Sequence, residues 1–512
     1  MRIAINVAWM APGKAGGMEW YVRALIDELA SIDDRNDYVL VTSHLNDNTF
    51  ELPGPRWEKL PYFGDDVSPA AYRRLIPPHP SHSPPYLGQM LRGAQVDLLF
   101  CPLMYALPLG TGLPVVVTIP DLQHKALPTL FDDFELGSRN LGFPDTIRRA
   151  TAVLGISEHV ASEIQAAYDI EADRVVATPL GLSPDFVTDT EVLASYSASA
   201  RAQYRVEGDY LFFPGNAWPH KNHARLLEAF ERVLVEAPEV RLVLTGENAV
   251  GALIPPRLRG SVDHLGYVSR EELIGLMAGA AALVFPSRFE GFGLPLLEAM
   301  AVGTPILCSD LPTLHEVGGD VPEYFDGDST DSIANTIIGF LRTPDAAARQ
   351  QALMAQQVAK FSYRSTAEKT LAVFDDIASG RRTAPQELAT PNVVLGGNSE
   401  LTEGYARWTL DAPRLASIDL EVFAVAYTPD GRPRLPSIVA LSVNGVVVSE
   451  VRVESGGSSR HVVAKVPDWL ELDQLQQIEL HDISDPRARE SSEVRIARLV
   501  AFDESDGEMR VI

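Results

Sequence analysis

The sequence predicts an α/β protein made of two doubly wound domains that face each other across a cleft, followed by a C-terminal β-sandwich. Short apolar runs alternate with helical patterns from residue 2 to about residue 180, and the alternation restarts at residue 209. Beyond about residue 397, apolar residues recur at every second position instead. The first pattern is typical of parallel sheets covered by helices, and the second of antiparallel strands with one buried face.

The first domain is predicted over residues 1–185. In chain order its strand and helix patterns are RIAINVAW, MEWYVRALIDELASI, YVLVT, VDLLFC, PVVVTI, AVLGIS, EHVASEIQAAY and RVVATPLG. Because parallel strands need a crossover between them, this order predicts βαβ units. The opening run lacks the charged and small-residue regions of a signal peptide, so we interpret it as the first strand.

The second domain is predicted over residues 186–380 and starts with a polar stretch rich in Ser, Ala and Asp. Its patterns then read DYLFFPG, HARLLEAFERVLVEA, VRLVLTG, REELIGLMAGA, ALVFPS, LPLLEAMAVG and TPILCSD, and further helical runs follow. A segment that contains Pro, Gly and Asn, residues 381–396, predicts a linker.

The third unit is predicted over residues 397–512 as a β-sandwich of the usual size for that fold. The pair Asn444-Gly445 between two apolar runs predicts a hairpin. Two roles are open for this unit. It can support the structure or an oligomer, or it can contact a glycan or a partner protein. Trp408 and Trp469, the tryptophans of this unit, are candidates for sugar stacking or for its core.

Charge and hydropathy limit the classes of partner. Lys and Arg total 43 against 69 Asp and Glu, a formal charge of −26, which argues against a nucleic-acid partner. No apolar stretch reaches the roughly 18 to 20 residues of a membrane-spanning helix. We therefore expect a cytoplasmic protein, with peripheral association at the inner face of the membrane as an open alternative. Cys101 and Cys308 lie in strand-like runs and are expected to be buried free thiols.

The stretch SRFEGFGLPLLEAM, residues 287–300, combines a glycine turn, a helix start and two carboxylates. Pro295 suits the first helical position. Glu290 then lies in the loop, and Glu298 lies about one turn, roughly 5 Å, into the helix. Since helix N-termini attract anions, the turn predicts a phosphate site. Ionised carboxylates only accept hydrogen bonds, so the two acids predict contacts with sugar hydroxyls.

A diphosphate needs a cation as well, because a helix terminus alone contributes only about 0.3 to 1 kcal/mol. Lys221 in FFPGNAWPHKNHARLLEAF stands at a loop-to-helix junction after the first strand of the second domain, between His220 and Asn222. Ligands of doubly wound folds bind at the carboxyl ends of the strands. We therefore expect Lys221, Glu290 and Glu298 to meet in the cleft.

These stretches resemble glycosyltransferase family 4, whose members are retaining enzymes of the GT-B architecture with two Rossmann-like domains. SRFEGFGLPLLEAMAVGTPILCSD resembles its Glu-x7-Glu signature, and GNAWPHKN resembles its phosphate-binding loop. AGGMEWYV, LGISEHVASEI and HLGYVSREEL follow in the family's order, so the resemblance covers about residues 1–380.

The resemblance implies that Glu290 contacts the donor sugar near the reaction centre and that Glu298 holds the nucleotide ribose. It implies that Lys221 takes the diphosphate. The remaining donor contacts that it implies are backbone groups at the phosphates and residues bordering the base, namely Gly16, Gly17, Phe292, Gly293, Leu294, Tyr267 and Val268.

The sequence departs from the family pattern at two positions. Many members carry Arg five residues before the lysine, where this chain has Asn216, which we keep as a donor-side residue. Many carry a His-Asp pair after a strand of the first domain, where Pro120 takes the histidine position in VVVTIPDLQHKALP. His124 can turn into the same space as a catalytic residue or can be structural. Asp121 reads as a loop or cap residue.

Together these features predict a metal-independent hexosyltransferase that acts on a glycan or lipid-linked glycan in cell-surface polysaccharide synthesis. Mannose from GDP-mannose is favoured over UDP-hexoses and dTDP-rhamnose, and no cofactor is expected, since the nucleotide sugar is a substrate. The helix N–H groups and Lys221 would stabilise the leaving diphosphate. The alternatives are a nucleotide-sugar epimerase on the same scaffold and a non-catalytic glycan-binding or assembly protein.

Overall fold

A computed structural model describes residues 1–13, 16–62, 85–107, 111–131, 133–186, 189–247 and 250–383, together with the backbone of eight strands between residues 405 and 511. Two parallel α/β sheets make up the body of the molecule, as predicted. None of the helices described has both the length and the apolar composition that crossing a lipid bilayer requires.

The first sheet has seven parallel strands in the order β3-β2-β1-β4-β5-β6-β7. These strands are β1 Arg2–Asn6, β2 Asp37–Thr42, β3 Trp57–Pro61, β4 Leu98–Cys101, β5 Val115–Ile119, β6 Ala152–Gly155 and β7 Val175–Ala177. The associated helices are α1 Gly17–Ile32, α2 Pro85–Gly93, α3 Gln123–Ala126, α4 Asp133–Arg149 and α5 Glu158–Tyr168. Every residue of β4, β5 and β6 is buried, which explains their uninterrupted apolar runs.

The second sheet has six parallel strands in the order β10-β9-β8-β11-β12-β13. These are β8 Tyr210–Pro214, β9 Arg241–Thr245, β10 Val262–His264, β11 Ala282–Phe285, β12 Ile306–Ser309 and β13 Glu323–Phe325. The helices of this part are α6 Thr190–Tyr204, α7 His223–Glu236, α8 Val250–Leu253, α9 Arg270–Ala278, α10 Leu294–Ala301, α11 Pro312–Gly318, α12 Thr330–Arg342, α13 Ala346–Val358 and α14 Tyr363–Ala378.

Local sequence explains where several helices begin. The polar stretch that precedes β8 forms α6, whose start is capped by the Asp189 carboxylate accepting hydrogen bonds from two backbone N–H groups. Helix α9 starts with a capping box in which Ser269 and Glu272 exchange hydrogen bonds with each other's backbone. Cys101 and Cys308 are buried free thiols on β4 and β12, as predicted.

Helix α14 follows the second sheet in sequence but packs against the first domain. Phe374 of α14 meets Phe100 of β4 edge-on, with 5.5 Å between the ring centroids. Asp375 lies 2.8 Å from the guanidinium of Arg35, and Thr366 donates a hydrogen bond to the carbonyl of Pro179. These contacts attach the last helix after the second sheet to the first domain.

A second set of contacts joins the domains beside the cleft. The carboxylate of Glu316, on α11, accepts hydrogen bonds from the backbone N–H groups of Glu158 and His159 at 2.8 and 3.0 Å. Those N–H groups belong to the first turn of α5 and have no acceptor within the helix, and a negative charge is favourable at a helix N-terminus. The Ser157 hydroxyl also donates to the Gly291 carbonyl at 2.9 Å.

The C-terminal strands pair into two four-stranded antiparallel sheets, ordered β14-β19-β16-β17 and β18-β15-β20-β21. They are β14 Tyr405–Asp411, β15 Leu415–Ala424, β16 Ser437–Val443, β17 Val446–Val453, β18 Arg460–Lys465, β19 Leu475–Asp482, β20 Val494–Ser505 and β21 Glu508–Val511. Val443 pairs with Val446, which agrees with the predicted hairpin, although Asn444 and Gly445 lie outside the described residues. The sandwich itself stays a prediction.

Two further predictions concern this part of the chain. Trp408 lies on β14, and Trp469 is outside the described residues, so the choice between sugar stacking and core packing stays open. The predicted linker is described only as far as residue 383.

Gly181 provides a test of how α14 is seated. A Cβ atom at this buried position would lie 2.0 Å from the backbone N of Tyr363, the first residue of α14. We expect Gly181→Ala to lower the free energy of unfolding by about 1 to 3 kcal/mol, because the helix start must move. Gly260→Ala, where a Cβ meets nothing within 4 Å, should change it by less than about 0.5 kcal/mol. Equal effects in urea denaturation would contradict this account.

Candidate active site

A cleft of about 500 Å³ lies where the carboxyl ends of the two sheets face each other. It is lined from both domains. The first domain contributes Gly16, Gly17, Met18, Trp20, Pro120, Asp121, Ile156, Leu180 and Ser183. The second contributes Lys221, Arg270, Glu290, Gly291, Phe292, Gly293, Leu294, Pro295 and Glu298, and Tyr363 of α14 completes the lining. The cleft therefore brings together eight of the predicted site residues: Gly16, Gly17, Lys221, Glu290, Phe292, Gly293, Leu294 and Glu298.

Two helix N-termini meet in this cleft. Helix α1 begins at Gly17 and α10 at Leu294, and each is preceded by a glycine with positive φ, 55° at Gly16 and 108° at Gly293. A Cβ on Gly17 would lie only 3.0 Å from the Leu294 side chain, so the two helix starts are in close contact. Neither start has a side-chain cap. Among the described residues, the backbone N–H groups of Gly17 and Leu294 have no hydrogen-bond partner, so they can bind an anion.

Lys221 and Glu290 form a close ion pair, with Nζ and Oε1 2.6 Å apart. Their side chains are only 18% and 12% exposed, and the ammonium lies 5.1 Å from the Phe285 ring centroid. Lys221 ends a 3₁₀ turn, Pro219–Lys221, after β8. Asn222 holds that turn in place, because its side-chain amide donates to two buried loop carbonyls and its φ is 62°.

Glu298 has a cation of its own. Its carboxylate accepts a hydrogen bond from Arg270 Nη1 at 3.1 Å. Burial raises the pKa of the Glu298 carboxyl, and the charge of Arg270 acts in the opposite direction. Each acid of the predicted signature is thus paired with one basic residue in the cleft.

Sequence reasoning missed Arg270 and Trp20. The Arg270 guanidinium lies 5.0 Å from the Trp20 ring centroid and 4.4 Å from that of Phe186. One signal was available, since a basic residue at the first position of a helix opposes the helix dipole and suggests a compensating anion. Nothing local in the sequence links Trp20 to it.

Asp121 lines the cleft beside the Lys221–Glu290 pair. Its carboxylate accepts a hydrogen bond from the backbone N–H of Gln123 at 2.9 Å, as a loop residue would. Burial raises the pKa of the Asp121 carboxyl. The neighbouring Pro120 carbonyl abuts Gly291, where an added Cβ would lie 2.2 Å from that oxygen. Only glycine allows the two domains to approach so closely here.

His124 is not brought to the cleft. Contrary to the expectation that it turns into the space left by Pro120, its ring is 1% exposed and stacks on Phe143 at 4.7 Å. Burial lowers the pKa of His124 to about 3, so the ring is neutral at physiological pH. The short helix α3 directs the side chain into the core of the first domain.

Three predicted donor contacts also lie outside the cleft lining. Asn216 is exposed, and its side-chain oxygen accepts a hydrogen bond from the Glu247 backbone at 2.7 Å. Tyr267 is 78% exposed on the loop before α9, and Val268 is buried in the core. Their predicted contacts with the nucleotide stay predictions.

Two family models match the chain. One, described as glycosyl transferases group 1, covers residues 199–355, which contain Lys221, Glu290 and Glu298. The other, described as glycosyltransferase family 4, covers residues 15–186 of the first domain.

Named relatives are mannosyltransferases and another glycosyltransferase. The chain is 30% identical over 268 residues to O-antigen chain mannosyltransferase B of Escherichia coli, covering 50% of this chain and 68% of the relative. It is 28% identical to O-antigen chain mannosyltransferase RfbU of Salmonella typhimurium, covering 40% and 55%. It is 28% identical to D-inositol 3-phosphate glycosyltransferase of Streptomyces scabiei, covering 51% and 63%. The chain therefore spans about half to two thirds of the length of these relatives.

Solved structures share the two-domain fold. Sucrose-phosphate synthase from Thermosynechococcus elongatus superposes with a TM-score of 0.58 at 18% identity, covering 74% of this chain and 100% of that one. Anabaena HepE in complex with UDP and glucose superposes with a TM-score of 0.53 at 18% identity, covering 73% and 100%. Both likenesses concern the fold.

The buried, neutral His124 should make the fold sensitive to acid. Its pKa is about 3 in the folded chain and about 6.5 when unfolded, so the unfolded chain binds the extra proton as the pH falls below 6.5. Compared with His124→Gln, the parent protein should lose about 2 kcal/mol more of its free energy of unfolding between pH 7.5 and pH 5. Denaturation at both pH values measures this, with the exposed His44→Gln as control. Identical losses in the parent and His124→Gln would refute the burial of a neutral ring.

Proposed function

The chain belongs to glycosyltransferase family 4, and on that premise we propose that it transfers a hexosyl unit from a nucleotide diphosphate sugar to a glycan or lipid-linked glycan. Mannose is the favoured sugar, and the anomeric configuration is retained. The observation that carries the proposal is the meeting of two uncapped helix starts with Lys221, Glu290 and Glu298 in one cleft. The helix starts and Lys221 suit phosphates, whereas Glu290 and Glu298 suit sugar hydroxyls.

The phosphate side of the cleft would bind and stabilise the leaving group. Negative charge develops on the diphosphate as the glycosidic bond to it breaks, and preorganised donors aimed at that charge lower the barrier. The backbone N–H groups at Gly293, Leu294 and Gly17 are such donors, and Lys221 adds a full charge. Because these groups supply the positive charge, we propose that the transfer needs no metal ion.

The carboxylates would orient the sugars. Glu290 can accept hydrogen bonds from the donor hexose while it keeps the Lys221 ammonium beside the phosphates. Glu298, deeper on α10, can accept the ribose hydroxyls. The acceptor hydroxyl would approach from the first domain on the same face of the sugar as the leaving group, and a phosphate oxygen of the leaving group would take its proton, a route that retains the anomeric configuration.

The close contact of Gly291 with Pro120 would protect the donor from water. The loop that carries Glu290 lies against the first domain there, and the Glu316 and Ser157 contacts hold the domains together beside it. Excluding water favours transfer to the acceptor over hydrolysis of the donor.

The favoured donor and pathway are inferred from the names of the relatives. Two of them are named O-antigen chain mannosyltransferases, which supports mannosyl transfer in polysaccharide synthesis. A UDP-hexose is the second candidate donor, because HepE, which shares the fold, was crystallised with UDP and glucose. The eight C-terminal strands would serve as an accessory unit that contacts a glycan or a partner protein.

Nucleotide binding is the first test of the proposal. At about 100 times its dissociation constant, one of GDP, UDP, dTDP and ADP should raise the free energy of unfolding by roughly 2.7 kcal/mol, and we expect GDP to do so. Lys221→Ala should remove most of the shift, because the diphosphate loses its cation. Lys369→Ala, an exposed lysine of α14, should leave the shift intact. If none of the four nucleotides stabilises the protein, the non-catalytic alternative takes precedence.

Turnover provides the second test. With GDP-mannose and an acceptor glycan we expect an α-linked product, identified by NMR, which has the same anomeric configuration as the donor. We also expect that EDTA does not change the rate. Glu290→Gln should lower kcat/KM about 10- to 100-fold, because hydrogen bonds to charged groups contribute about 1.5 to 3 kcal/mol. The exposed Glu239→Gln is the matched control. Conversion of the donor sugar without any acceptor would identify an epimerase instead.

A further inference from the structure

Arg270 lies between the two helix starts of the cleft. Its Nη1 reaches Glu298, one turn into α10, and its guanidinium faces the ring of Trp20, in the first turn of α1. Gly17 and Leu294, which begin the two helices, are close to each other and line the same cleft as Arg270. That is the region where an anion would bind.

Most of the hydrogen-bonding capacity of Arg270 is unused. The guanidinium is a planar fork of several N–H donors. Within the part of the chain that the structure describes, Nη1 donates to Glu298, while Nε is buried and donates no hydrogen bond. Asp185 lies on the Nε side, with its Oδ2 3.9 Å away. The Arg270 side chain is 22% exposed and lines the cleft, so a ligand bound there can reach the guanidinium.

The rings of Trp20 and Phe186 fix the guanidinium without consuming its donors. They lie 5.0 and 4.4 Å from Arg270 Cζ. Stacking on aromatic rings holds the plane of an Arg side chain and leaves its N–H edge free for bidentate contacts with phosphate. The arrangement is therefore preorganised for an anion.

The phosphate site needs a second cation. Asn216 adds no donor to the cleft, because its exposed side chain is bound to the Glu247 backbone and is not part of the cleft lining. Lys221 and Arg270 are the basic side chains among the described residues that line the cleft. Two cations and two helix N-termini match the charge of a diphosphate better than Lys221 alone.

We propose that Arg270 binds a phosphate group of the nucleotide donor and acts there as a second cation beside Lys221. The inference rests on the proposed function. Arg270 Nη1 contacts only Oε1 of Glu298, so the carboxylate can accept the ribose hydroxyls while the fixed guanidinium offers its other N–H groups to the phosphate. Arg270 would thus select nucleotides by their phosphates, whereas Glu298 selects them by their ribose.

Titration calorimetry with a phosphate series tests this assignment. The probes are guanosine, GMP and GDP, or the matching uridine, thymidine or adenosine series if that diphosphate gives the thermal shift. For Arg270→Gln we expect the ratio of GDP affinity to guanosine affinity to fall at least tenfold. Glu298→Gln should weaken GDP and guanosine by similar factors and leave the ratio within about twofold. The salt dependence of GDP binding should also decrease in Arg270→Gln, since one phosphate contact is lost.

Arg270→Lys covers the case in which Arg270→Gln does not fold. It keeps the positive charge beside Glu298 but lacks the planar fork, so the same ratio should fall by at least threefold. An unchanged ratio in the folded variant would show that Arg270 only positions Glu298, and it would overturn the inference while the proposed function stands. If no nucleoside diphosphate binds the parent protein, the proposed function fails and the inference fails with it.

Discussion

The site depends on holding two helix N-termini against each other. Each carries the equivalent of about half a positive elementary charge, so α1 and α10 repel each other where Gly17 meets Leu294. The interdomain contacts oppose this repulsion: Glu316 binds the start of α5, and α14 crosses to the first domain through Phe374. The carboxylates Glu290 and Glu298 add negative charge near the same point. The close approach of the two helix N-termini is therefore electrostatically unfavourable, and a bound anion would reduce the repulsion between them.

The basic side chains of the cleft are paired, so they do not add two free charges to this positive region. Lys221 and Arg270 are each paired with a glutamate, and both pairs are largely buried. Pairing avoids the large cost of leaving a buried charge without a partner. It also means that a ligand that enters between the paired groups must offer partners to both the acids and the bases. A molecule that carries phosphates and sugar hydroxyls has both kinds of group, whereas inorganic phosphate has acceptors for the bases only.

The sequence predicts most of the sheets and part of the site, for reasons that are local. Parallel strands buried on both faces need uninterrupted apolar runs, so β4, β5 and β6 are visible in the sequence. The helix start at Leu294 and the loop of Lys221 are likewise encoded by glycine, proline and their neighbours. Helix α6 is not visible, because its few buried residues give it little periodicity and its cap lies in a polar stretch. Arg270, Trp20 and His124 depend on tertiary packing between distant segments, which spacing along the chain does not reveal.

The path of α14 determines what the remainder of the chain is attached to. This helix belongs in sequence to the second domain, yet its last turns contact the first domain, and Arg382 just beyond it donates to the carbonyl of Asp173 there. Residue 383, the last described residue before the C-terminal strands, therefore directly follows a residue bound to the first domain. If the two sheets hinge relative to each other, this point of the chain moves with the first sheet and not with the second, to which α14 belongs in sequence.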